Sequence, residues 1–391
     1  MQAGSLNPFL YHIQRKGTRL DLGAELLLNL EVYLALALVA AAGVVILGRF
    51  AGRWFPLPRL RRGRWSGGEV LLCFLLFRIV PSILVYVFDE SGFFFWVFGE
   101  HVKPDRQFLF LGPLYLVLLF AFYITLVLYP ISGTRPSHVG LTTARWQVNI
   151  RLGLAAFCLA TPVVLGLSFA LHAVTPSTPH QLEELVRGPH FGFEWGLIAF
   201  GTVIAAPLLE EWLFRGLMQG WLRRASLWGH LVIAVLGLTA GVLQSLPQAK
   251  PPDDRIVWEA LVFAWLLVSV YITGVLRIWR PVLQSGIQHF VEAPAESGAP
   301  TPAPVEGQTP MLLPQGPRWE AFKIANARWA IVGSAMIFAL VHVHWPDPVP
   351  LFLLGLVLGW LAYRTQSLIP GILLHAMFNA VAFGALWFSA Q

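Results

Sequence analysis

The sequence predicts an all-α polytopic membrane protein, a multi-helix bundle of about ten spans of roughly 20 residues each. Three observations carry that expectation. Of the 391 residues, 56% are hydrophobic and only 12% are charged, where a soluble domain carries roughly 25% charged residues, and the mean hydropathy is +0.64. The apolar residues come in runs long enough to cross a bilayer. The arginines gather between those runs, as positive charge does in cytoplasmic loops.

In chain order the runs lie near 28–48, 69–88, 107–129, 150–173, 195–221, 230–246, 256–279, 328–345, 350–363 and 370–388. The first continues past "VAAAG" into "VVILG", which reads as an anchor and not as a cleaved signal. The ninth is short and suits a tilted, re-entrant or internally buried helix. Loop 49–67 carries Arg49, Arg53, Arg59, Arg61, Arg62 and Arg64 and is expected in the cytoplasm. Alternation from there places both termini outside and most of the remaining Lys and Arg inside. The net charge of +6 comes with no basic cluster interleaved with aromatics, so nucleic acid is not an expected partner. Cys73 and Cys158 lie within apolar runs and read as packing thiols. The segment "VEAPAESGAPTPAPVEGQTPMLLPQGPRW", within 281–327, is rich in Pro, Ala, Gly and Glu. It cannot bury enough apolar surface to fold alone and is expected to be a cytoplasmic linker.

The fifth run contains "AAPLLEEWLFRGLMQG". Each charge at the centre of a membrane helix costs roughly 2.5–3.5 kcal/mol even on lenient scales, so Glu210, Glu211 and Arg215 need a reason. Glu211 and Arg215 stand at i, i+4 with the acid first, the favourable order for a pair. Glu210 is left over, and a carboxyl in an apolar site is suited to moving protons near neutrality. The eighth run, "MIFALVHVHWP", sets Phe338 and His342 at i, i+4, with His344 placed as an interfacial histidine. The tenth, "PGILLHAMFNAVAF", sets His375 and Asn379 at the same spacing. Three membrane helices therefore each present a polar pair on one stripe. From Glu210 to Arg224 and from Arg328 to His342 the sequence distance is equal, about 21 Å of helix in each case, so the two residues share a depth. His375 comes early in its run and needs a deeper helix start or a tilt, which a water-filled cavity open to the cytoplasm reconciles.

A buried Glu beside a His can deprotonate a water, and a second His with an Asn can donate to a developing oxyanion. Peptide hydrolysis by activated water follows. No serine stands within a turn of these groups, and no HExxH is present, which argues against a serine triad and a standard zincin. A zinc held by Glu and two His stays chemically admissible. Two other classes fit the same residues: a proton- or ion-coupled transporter, and a silent scaffold that uses the polar network for helix packing.

"EEWLFRG" resembles the EExxxR motif of the CAAX-protease and bacteriocin-processing (CPBP, or Abi) family of intramembrane peptidases, which includes the Ras-converting CAAX endopeptidases. "FALVH" matches its FxxxH motif and "HAMFN" its HxxxN motif, in the family's order. The resemblance covers roughly 195–228 and 328–388. It implies an all-helical membrane bundle acting on a membrane-associated protein or peptide, in the plasma (inner) membrane with its site open to the cytoplasm. It implies that Glu210 activates water with help from His342, that Glu211 and Arg215 support the site, and that His375 and Asn379 stabilise the oxyanion. The family's chemistry has been described both as glutamate-dependent and as metal-dependent. Residues 191–229 and 328–391 would then hold the catalytic helices, and 1–190 would be helices of unassigned role. The stretch 230–280 is expected to be an inserted transmembrane hairpin, since the first two motifs stand further apart than is usual for the family.

Overall fold

The computed structural model describes residues 65–98, 129–175, 192–245, 254–284, 317–342 and 344–390. The expected spans 28–48 and, all but its last residue, 107–129 lie outside these residues. No strand occurs among the described residues. The principal helices are α1 (Gly67–Glu90), α2 (Trp146–Val174), α3 (192–222), α4 (Leu227–Ser245), α5 (Asp254–Gln284), α6 (Pro317–Leu340), α7 (Pro348–Thr365) and α8 (Ile369–Ala390).

Five helical stretches are long and apolar enough to cross a membrane: Trp146–Val174, Trp195–Leu222, Ile256–Leu283, Pro348–Thr365 and Ile369–Phe388. The protein is thus an integral membrane protein, all-helical over the described residues, among which the expected number of about ten spans is not reached. The clearest departure is the eighth run. α6 begins at Pro317, inside the segment expected to be linker, and stops at Leu340, short of residue 345. Proline is favoured in the first turn of a helix, where no amide partner is lost. Phe322 packs edge-on against Trp279 of α5, with ring centroids 5.0 Å apart, which ties this polar helix start to its neighbour. α5 likewise runs on to Gln284, so both ends of the 281–327 segment are helical, and 285–316 lies outside the described residues.

α6 packs on α7, α4 on α5 and α8 on α2, with α4 and α5 both against α6. α3 is the buried axis. Every residue from Glu211 to Gln219 is buried, with Trp212, Leu213, Phe214, Leu217 and Met218 completely so. A helix apolar on all sides belongs in the interior. Cys73 is buried and Cys158 half-buried, and neither forms a disulfide among the described residues.

α3 is not a regular helix. π-helical turns at Phe200–Ala205 and Glu211–Met218 flank the α-helical Ala206–Glu210. Neighbouring side chains reach carbonyls of the second wide stretch: Ser334 Oγ donates to Phe214 O at 2.8 Å, and Trp65 Nε1 donates to Leu217 O at 2.9 Å. Such captured carbonyls are how a membrane helix tolerates local π geometry, and π-bulges concentrate at functional sites.

Candidate active site

Glu210 closes the α-helical turn of α3 and Glu211 opens the π-helical one. Both carboxylates thereby reach the same imidazole on α8. His375 Nδ1 lies 3.2 Å from Glu211 Oε1, and its Nε2 lies 3.9 Å from Glu210 Oε2. A carboxylate only accepts, so the Nδ1 contact requires the proton on Nδ1. Arg215 Nη1 lies 2.9 Å from the same Oε1 of Glu211, and both side chains are fully buried. The i, i+4 spacing read from the sequence is therefore an ion pair in the structure.

Gly371 makes this convergence available. A Cβ on it would stand 2.9 Å from Glu211 Oε2 and 3.7 Å from a methyl of Leu358, so only glycine lets α8 come this close to the carboxylate. Phe338 of α6 forms the floor. The Arg215 guanidinium sits 4.1 Å from its ring centroid, a cation–π contact strengthened by burial. The same ring meets His375 edge-on at 5.6 Å and His342 at 4.9 Å.

His342 lies two residues beyond the end of α6 and not within a continuing span. Its Nδ1 donates to Phe338 O at 2.6 Å, which puts the lone pair on Nε2. Asn379, one turn beyond His375, donates to Thr202 O at 2.9 Å. Thr202 lies in the first π-helical turn, so each irregular stretch of α3 meets one of the paired polar residues of α8. The structure thus gathers Glu210, Glu211, Arg215 and His375 in direct sequence of contact, with His342 joined through Phe338 and Asn379 joined to α3. Thr202 and Gly371 were not singled out from the sequence. Glycine one turn before a motif histidine was the visible signal for the second, and Thr202 left none.

Four polar atoms here are buried without a hydrogen-bond partner among the described residues: Glu210 Oε2, Glu211 Oε2, Arg215 Nε and Arg215 Nη2. Buried polar atoms are normally satisfied, and orphans mark a site for water or ligand. A zinc fits less well. Glu211 Oε1 is already shared by Arg215 and His375, and no group of three His, Cys, Asp or Glu among the described residues has metal-holding geometry. A protein-held catalytic zinc takes three such ligands.

The helical bundle and its apolar stretches define an integral membrane protein that buries a carboxylate–histidine cluster. The particular family follows from comparison: the family model described as Type II CAAX prenyl endopeptidase Rce1-like matches residues 192–291 and 311–381. The C-terminal region of the chain is thus similar to the Rce1-like endopeptidases, in line with its three motifs. No curated protein and no solved structure matched the chain. The matched stretches contain all seven defining residues of the three motifs. They also run through 230–280, so the hairpin expected as an insertion lies inside the family match, and the interruption falls at 292–310.

Proposed function

We propose that this protein is a CAAX-type intramembrane endopeptidase in which Glu210 activates water for attack on a peptide carbonyl. The single observation that carries the reading is the buried Oε2 of Glu210 beside His375, without a hydrogen-bond partner among the described residues. A contact of 3.9 Å is too long for a hydrogen bond, so this oxygen still needs a donor, and water is the donor the chemistry uses.

The water oxygen bonds to the carbonyl carbon as its proton passes to Glu210, with the Nε2 lone pair of His342 assisting. Arg215 holds Glu211, and Glu211 holds the His375 ring by accepting from Nδ1, leaving Nε2 turned toward the reacting centre. Asn379 spends one amide hydrogen on Thr202 O; its second is available to the carbonyl oxygen as negative charge develops there. When the tetrahedral intermediate collapses, the C–N bond breaks and Glu210 returns the proton to the leaving nitrogen. Each atom is accounted for without a covalent enzyme intermediate, and no step is routed through a metal. The substrate is a membrane-associated peptide, in keeping with the matched family, and the basic loop 49–67 supports a site open to the cytoplasm in the plasma membrane.

Full-length protein reconstituted in vesicles with a prenylated peptide ending in C-a-a-X provides the test. Glu210→Ala is expected to lower cleavage by about 10²–10⁴-fold while expression and thermal unfolding stay unchanged. Cleavage at the unsubstituted rate would reject the assignment of the base.

A further inference from the structure

A second cluster of cations lies at the C-terminal end of the same helix, where Arg223 and Arg224 follow its last residue. A small cavity of about 40 Å³ is lined by His138, Arg215, Arg223, Arg224, Gln366 and Ser367, among others, and by no Asp or Glu among the described residues. Four chain segments enclose it, which distinguishes it from a basic surface patch. The 138–140 segment is fixed to the α7–α8 turn by Leu368 N donating to Gly140 O at 2.9 Å. Gly216 and Gly220 let these walls close in: a Cβ on the first would stand 2.9 Å from Val139 O, and on the second 2.8 Å from the Trp65 ring.

The cations in it are unequally satisfied. Arg215 is committed to Glu211. Arg224 donates to Gly220 O and Trp65 O and stacks on the Trp65 ring. Among the described residues Arg223 has a long contact to Gln366 Oε1, at 3.5 Å, and the face of Tyr363. Its Nε and Nη2 are buried with no partner among the described residues. Burial pulls its pKa down to about 10, so it stays charged at neutral pH. A buried cation without an anion is costly, and these two nitrogens form one edge of the guanidinium fork, the edge that grips a carboxylate. His138 Nδ1 accepts from Arg135 N, which puts the proton of the neutral ring on Nε2.

We propose that this cavity binds the C-terminal carboxylate of the peptide substrate, with Arg223 as its principal partner. The inference rests on the endopeptidase reading for the identity of the ligand and on the cavity for its charge. Helical side chains lean toward the N-terminus, so the Arg223 head lies near the level of Gln219, about 12 Å along the helix from Glu211. A C-a-a-X terminus is four residues long, so any bond within it lies within about 14 Å of the terminal carboxylate in an extended chain. The two ends of the substrate then fit the two ends of one stretch of α3.

The test compares one prenylated C-a-a-X peptide as its free acid and as its C-terminal amide, with full-length protein in lipid nanodiscs. Binding is read by anisotropy on protein carrying Glu210→Gln, and cleavage is read separately on the unsubstituted protein. The acid is expected to bind about tenfold or more tightly than the amide, the scale of losing hydrogen bonds to a charged group. Arg223→Gln is expected to erase that preference and leave amide binding unchanged, and Arg223→Lys to keep part of it. Equal binding of acid and amide, which needs no variant at Arg223 to observe, overturns the proposal. So does an Arg223→Gln protein that loses both peptides alike, the result for a lipid-phosphate site or a purely structural arginine. Acid preference without cleavage of either peptide sinks the endopeptidase reading and leaves the carboxylate site standing. Cleavage without acid preference does the reverse.

Discussion

Two buried histidines sit in this bundle with opposite accounts. His230 of α4 exchanges one hydrogen bond with Tyr271 OH at 2.6 Å and one with Asn326 Oδ1 at 2.9 Å. The Asn326 amide group donates onward to Leu222 O and Arg223 O. The acceptor at Asn326 puts the proton on Nε2, so Nδ1 accepts from the tyrosine, and each partner's role is determined. This network pins α4, α5 and α6 to the end of α3. His375, by contrast, is faced by two carboxylates, and the cluster around it retains four polar atoms without hydrogen-bond partners among the described residues. A satisfied network rigidifies a fold; an unsatisfied one keeps capacity for something that arrives. The difference in polar satisfaction supports reading the first cluster as packing and the second as the proposed site, independently of any motif.

The largest stability effect that separates the two clusters comes from the Glu211–Arg215 pair. Removing one member of a fully buried pair costs about 3–5 kcal/mol, whereas replacing both by apolar residues of similar size is often neutral. Arg215→Met alone is therefore expected to unfold the protein at markedly lower temperature in detergent. Glu211→Leu combined with Arg215→Met is expected to recover most of the loss while cleavage stays absent. If the double variant cleaves, the pair does not position the site, and the contrast between the two clusters dissolves.

The His230 network makes the converse case. Tyr271→Phe leaves Nδ1 of His230 buried without its donor, at a cost of about 1–3 kcal/mol. Thermal unfolding should report that loss, and the surviving folded protein should cleave at the unsubstituted rate. A fall in turnover per folded molecule would show that this network reaches the chemistry through α3, and would blur the distinction.

How much of this was legible in the sequence differs between the same two clusters. The candidate site was legible through local spacing: Glu211 and Arg215, Phe338 and His342, and His375 and Asn379 are each one helical turn apart. His230, Tyr271 and Asn326 stand on three helices with no shared spacing, so nothing local could join them. The apolar runs of α2, α5, α7 and α8 were readable because lipid-facing and core-facing residues are both apolar. The start of α6 was not, because Arg318, Glu320 and Lys323 hide a helix that holds on through Phe322 and Trp279. The π-helical turns of α3 were also out of reach. Their carbonyls are captured by Trp65 and Ser334, from distant parts of the chain, and no propensity within α3 encodes that.

The smallest expected stability effect probes how closely the site is held. Gly371 and Gly384 both lie in α8, and glycine within a helix gives up about 0.5–1 kcal/mol relative to alanine. At Gly384 an added Cβ meets nothing within 4 Å, so Gly384→Ala should raise the unfolding temperature slightly and leave cleavage alone. At Gly371 the same methyl would press on Glu211 Oε2 from 2.9 Å. A carboxylate is normally free to swing aside, but this one is held by Arg215 and His375, so the backbone gain is offset and the imidazole is displaced. Gly371→Ala should therefore show almost no change in unfolding temperature together with a fall in kcat. That fall can approach about 10²-fold for a misplacement near 1 Å. Were Gly371→Ala to behave like Gly384→Ala in both measurements, α8 would have slack at this point. The close approach of Glu211 to His375 would then be a consequence of packing and not a requirement of the chemistry.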